Sequence, residues 1–116
     1  MPIVNGQKPE VRFEGYSPGT EIWGSTQADF LLVVPGRHAK EMAVLLNDPA
    51  AKFLAESTGR EDGPEFRETA ARGTGEAALS ELVASGRPFE SILMISRAYL
   101  DEHPAVLERV KAELAE

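Results

Sequence analysis

The residues with the greatest chemical reach lie together in Gly36-Arg37-His38-Ala39-Lys40, directly behind Val34-Pro35. If Gly36 opens a helix, the free amide groups of its first turn carry partial positive charge, and Arg37, His38 and Lys40 add donors suited to a phosphate or carboxylate. His38 would then be the near-neutral acid or base of a small-ligand or enzymatic domain. The segment lacks the glycine spacing and the Lys-Ser/Thr ending of a phosphate loop. A solvated helix start is the simpler reading.

The other chemistry-bearing residues are scattered. His38 and His103 are the only two histidines, and they form neither H-x-x-x-H nor H-E-x-x-H spacing, so no metal site is expected. His103 precedes Pro104 and reads as a helix-start residue. No serine sits in a G-x-S-x-G elbow, and the acids Glu61, Asp62 and Glu65 read as solvent-facing in a polar loop. Gly73-Thr74-Gly75 reads as a turn and helix cap. The stretch Leu79 to Phe89 has loose helix-turn-helix spacing, but Glu81, Ser85 and Arg87 occupy positions where helix packing wants apolar residues. With no cysteine there is no thiolate nucleophile, disulfide or cysteine-ligated cluster. No catalytic residue, metal or cofactor is assigned.

A second kind of candidate is apolar. Tyr16, Ile22 and Trp23 lie in or beside an expected hairpin, where neighbouring side chains point to opposite faces, so Ile22 and Trp23 cannot both enter one core. An aromatic left outside on a small sheet can anchor a partner protein or a second copy of the chain.

The elements that must position these residues follow from patterning. The chain has 116 residues, 12 basic and 19 acidic side chains, and a net charge of -7. That length suits one domain, 1–116, with a core able to bury roughly two-thirds of the surface the unfolded chain exposes. Residues 1–36 read as β-rich. Val11 and Phe13 alternate with charged neighbours, Gly15 to Gly19 supplies a turn, Thr20 to Trp23 reads as a second strand, and Ala28 to Val34 as a third. Residues 37–116 read as helical: Met42, Ala43, Leu45 and Leu46 suggest a helix ending near Asn47, and Asp48-Pro49 a restart. Ser57 to Glu76, polar and rich in glycine, is expected to be the mobile segment, with a short helix over Pro64 to Arg72. Pro88 is a further helix start. Ile92 to Ile95 fits a helix or a buried strand, with helix preferred. His103-Pro104 opens a final helix with Val106 or Leu107, Val110 and Leu114 on one face.

The expected architecture is α+β, an N-terminal three-stranded antiparallel meander followed by four or five packed helices. The acidic balance disfavours nucleic acid as a partner. No apolar run approaches the ~20 residues that span a bilayer, and no leader peptide is readable, so a cytoplasmic setting is expected. The function read from these features is a small, acidic protein-interaction or regulatory module acting on a protein partner or as a homo-oligomer. The alternative is a domain holding an anionic ligand at Gly36, Arg37, His38 and Lys40.

Overall fold

A computed structural model describes residues 10–36, 39–85 and 91–115. Within them the chain is α+β, with a four-stranded sheet in the order β1-β2-β3-β4 and four α-helices. The strands are β1 (Glu10–Ser17), β2 (Ser25–Val33), β3 (Lys40–Asn47) and β4 (Ile92–Ile95). The helices are α1 (Asp48–Thr58), α2 (Pro64–Ser85), α3 (Arg97–Glu102) and α4 (Pro104–Leu114). β1, β2 and β3 form an antiparallel meander, and β4 joins β3 in parallel.

Alternation sets the two faces of the sheet. Ala28, Phe30 and Leu32 of β2 and Met42, Val44 and Leu46 of β3 are buried beneath the helices, as is Ile95 of β4. In β1 the register shifts between Phe13 and Gly15, which leaves Glu14 as an extra residue. That bulge resets the period, so Phe13 pairs with Phe30 and Tyr16 with Ala28, both on the helical side. The Phe13 and Tyr16 rings meet at 4.9 Å.

Three expectations from the sequence are corrected. The segment expected to be a helix ending near Asn47 is β3. Its residues satisfy a helical stripe through Met42, Leu45 and Leu46 and a strand face through Met42, Val44 and Leu46. The apolar β2 beside it decides between them, because pairing with β3 places both apolar faces in one core. The meander is therefore completed by a strand beyond Gly36, not by Thr20 to Trp23, which form a 3-10 turn. Ile92 to Ile95, preferred as helix, is the fourth strand, so strand is not confined to the first third of the chain.

The long helix α2 also differs from expectation. It runs unbroken for 22 residues through Gly73, Thr74 and Gly75, which are buried inside it rather than forming a turn and cap. It packs against β1, β2, β3, α1 and α4. Between Phe66 and Leu79 its buried face is made of small residues, including Ala70, Ala71, Ala77 and Ala78. Small side chains bring the helix axis close to the sheet, which explains why no stripe of large apolar residues advertises it. Pro64 does begin a helix as expected, but that helix does not stop at Arg72. The expected helix start at Pro88 lies outside the described residues.

The remaining helices follow their local signals. Asn47 caps α1, its side-chain oxygen accepting from the Ala50 amide at 3.0 Å, with Pro49 in the first turn and Gly59 closing the helix at a φ of 69°. Ser96 caps α3 through the Tyr99 amide at 3.1 Å. α4 begins at Pro104 and buries Val110 and Leu114 as expected, with Val106 rather than Leu107 completing the buried stripe. Asn47→Ala should lower stability by about 1 kcal/mol through loss of the cap. A urea unfolding midpoint unchanged from wild type would contradict that role.

Candidate interaction surface

The connection from β1 to β2 is short and held at both ends by glycine. Gly19 and Gly24 take φ values of 101° and 75°, a region costly for residues with a Cβ, and between them the chain makes the 3-10 turn Thr20–Trp23. The Gly24 carbonyl accepts from the Asp48 amide at 2.8 Å, which fastens the base of the turn to the start of α1. Because the turn is not a strand, strand alternation does not apply to it. Ile22 is 79% exposed and Trp23 80% exposed, so the two largest side chains of this turn both stand in solvent. Strand alternation would have left at least one of them outside; the turn exposes both. Tyr16, named with them, has the Phe13 ring beside it and a partly exposed edge. Burial raises its phenol above the ordinary pKa, with the Arg72 charge opposing that shift.

Next to this knob the N-termini of α1 and α2 approach the end of the sheet. They enclose a cleft of about 370 Å3 lined by Tyr16, Ser17, Thr26, Asp48, Arg67 and Glu68, among others. Arg67 holds the corner together. It grips Asp62 through two hydrogen bonds, at 2.8 and 3.0 Å, and reaches Asp48 at 2.8 Å. The hydrogen bond from Arg67 holds the Asp62 carboxyl below its usual range, against the opposing effect of burial, and Arg67 is in turn raised. From the sequence Asp62 reads as solvent-facing, and nothing marks Arg67. The only local signal was an acid and an arginine separated by a helix start at Pro64.

The Asp62–Arg67 pair has a defined pH signature. A carboxyl whose folded pKa is depressed contributes stability above its unfolded value, about 3.9, and loses that contribution as pH falls through the folded value. Asp62→Asn should therefore be less stable than wild type at neutral pH, by up to about 1 kcal/mol for a largely exposed bidentate pair. The gap should close as pH falls below 4. Chemical unfolding of both proteins from pH 7 to pH 2 checks this, and a gap that widens on acidification would contradict it.

The residues expected to hold an anion are placed differently. Gly36 lies in the turn between β2 and β3 at a φ of 81°, and Lys40 is the first residue of β3. Among the described residues there, the next element is the strand β3 and not a helix, so a helix start at Gly36 does not supply the amide dipoles. Arg37 and His38 lie outside the described residues. Lys40 lines a shallow depression on the outer face of the sheet together with Glu14, Asp29 and Glu41. Among the described residues, that lining is acidic. Asp29 accepts from Gln27 at 2.7 Å and from the Ser17 hydroxyl.

His103 sits at the junction of α3 and α4. Its Nδ1–H donates to the Tyr99 carbonyl at 2.9 Å and its ring stacks on Tyr99 at 4.0 Å. Burial, with the nearby Glu81 charge second, pushes the Tyr99 phenol up to about 12. Nε2 lies 4.0 Å from Glu81. These contacts lock one helix onto the next. Among the described residues, no three histidines or carboxylates cluster as metal ligands, and no helix is long and apolar enough to cross a membrane.

No family model, curated protein or solved structure matches this chain.

Proposed function

We propose that this protein is a small acidic interaction module that binds another protein, or a second copy of itself, through the knob formed by Ile22 and Trp23. One observation carries the reading: two large apolar side chains, 79% and 80% exposed, sit side by side on a turn pinned to the fold by the Gly24 to Asp48 hydrogen bond. Exposed aromatics on a fixed backbone lose little entropy on binding, and tryptophan is enriched among the residues that dominate interface energies. The knob contributes little to the folded monomer. Its retention of apolar surface is therefore better explained by a partner than by packing.

The net charge of -7 favours a partner with a basic face. A regulatory role and a cytoplasmic setting belong to the same proposal. The test is affinity capture from the native cell with wild type, Ile22→Ser and Trp23→Ser as baits. A stoichiometric protein held by wild type and lost from both variants, with unchanged unfolding midpoints, is the expected result. Equal capture by all three baits would overturn the assignment of the knob.

A further inference from the structure

We propose that the outer edge of β4 accepts an extended, lysine- or arginine-flanked segment of another protein as a fifth strand. The inference rests on residues other than the Ile22–Trp23 knob and stands or falls without it.

Strand geometry fixes which backbone groups of β4 are free. The Ala43 amide donates to the Ser91 carbonyl at 2.9 Å, and Ala43 lies opposite Ile92 in the parallel register. Successive residues of a strand direct their N–H and C=O to opposite sides. Ser91, Leu93 and Ile95 therefore direct theirs to β3, while Ile92 and Met94 direct theirs away from the sheet. β4 is the last strand in the order, so among the described residues no strand meets those groups.

The edge is short, four residues, but its own side chains do not protect it against pairing. Edge strands in natural proteins are commonly blunted by lysine, proline, inward charges or a bulge. The sequence Ile92-Leu93-Met94-Ile95 has none of these, and its register with β3 is regular. Ile92 is 59% exposed and Met94 48% exposed. Their register partners Ala43 and Leu45 continue the same outer face, giving an apolar shelf for alternate side chains of an added strand.

Charge selects the occupant. Among the described residues, the depression of about 1040 Å3 beside this shelf carries Glu14, Asp29 and Glu41 against Lys40, and it reaches Ser91 at the start of β4. Glu41 precedes Ala43 on the same face of β3, so a basic residue flanking the added strand would meet carboxylates there. A second copy of the chain is a poor fit. Both copies would carry -7, so their net charges would repel each other.

The probe is a short peptide of alternating valine and threonine with lysine at both ends, titrated into the isotope-labelled full chain. Resonance shifts and slowed amide exchange should appear at Ile92 and Met94. The same peptide with glutamate at both ends should bind about tenfold more weakly, and a version N-methylated along its pairing edge should not bind. Met94→Pro should keep the cooperative unfolding transition, because that amide has no strand partner, and should lose the peptide. Trp23→Ala should bind it as wild type does, which separates this site from the knob. Unmoved β4 amides at millimolar peptide, or equal affinity for the glutamate peptide, would overturn the proposal. So would dimerisation that light scattering detects in wild type and not in Met94→Pro, since the edge would then belong to a second copy.

Discussion

Gly75→Ala should lower the unfolding midpoint by several degrees, while Gly73→Ala, on the same helix, should raise it. A Cβ on Gly75 would lie 2.4 and 2.6 Å from ring carbons of Phe30 and 3.3 Å from Val44. Phe30 is itself buried, with the Phe13 ring 5.6 Å away, so the ring has little room to retreat. Overpacking of this kind costs about 1–3 kcal/mol. With a near-atomic overlap the cost falls at the upper end, and it outweighs the roughly 1 kcal/mol that alanine gains over glycine inside a helix. At Gly73 the nearest atoms are the Glu113 carboxylate at 3.5 Å and Val110 at 4.0 Å, ordinary contact distances. There the helical gain stands unopposed. Thermal unfolding of the two variants beside wild type is sufficient, and a stabilised Gly75→Ala would mean that α2 does not seat on the sheet as described.

Those glycines also show why part of the fold was hidden in the sequence. Gly73-Thr74-Gly75 carries every local mark of a turn, yet close approach to Phe30 and α4 requires small residues at that place in a helix. Their lack of bulk reports a neighbour, not a loop. The expectation of a mobile segment over Ser57 to Glu76 rests on the same marks, and from Pro64 to Glu76 the chain is one helix, with Phe66, Ala70 and Ala71 buried. β3 was obscured differently. Met42, Val44, Leu45 and Leu46 fit two periods at once, and only the neighbouring β2 selects one.

Where a segment's apolar pattern fitted one period, it was legible. β1 could be read from Val11 and Phe13 between charged residues, β2 from its branched and aromatic run, α1 from Pro49, and α4 from Val110 and Leu114. The candidate surface was half legible. Tyr16, Ile22 and Trp23 could be chosen by type and by nearby turn residues, but the 3-10 geometry that exposes both Ile22 and Trp23 could not. The Arg67 cleft depends on residues brought together from four elements, and no spacing along the chain announces it.

Trp23→Ala should weaken association strongly and leave the monomer nearly untouched. Truncating a tryptophan at the centre of an interface typically costs 2 kcal/mol or more. At about 1.4 kcal/mol per tenfold, that corresponds to a loss of at least roughly thirtyfold in affinity. Within the free chain the side chain is 80% exposed, so its removal sacrifices little buried area, and surface changes of this kind usually move stability by less than about 0.5 kcal/mol. Ile22→Ala should act in the same direction with a smaller loss. A mutant that unfolds at a markedly lower midpoint would show that Trp23 is a packing residue.

Trp23 is the only tryptophan in the chain, so its fluorescence reports the proposed contact without a label. The decisive measurement is its emission and acrylamide quenching in the dilute free protein and again in the complex, formed with the captured partner or by raising the protein's own concentration. The complex should be followed with a tryptophan-free or spectrally separated partner where the partner is another protein. The exposed Trp23 should show solvent-like emission and ready quenching when free, and the proposed contact requires a blue shift and protection when bound. A complex that forms while Trp23 stays as quenchable as in the free chain would contradict the account.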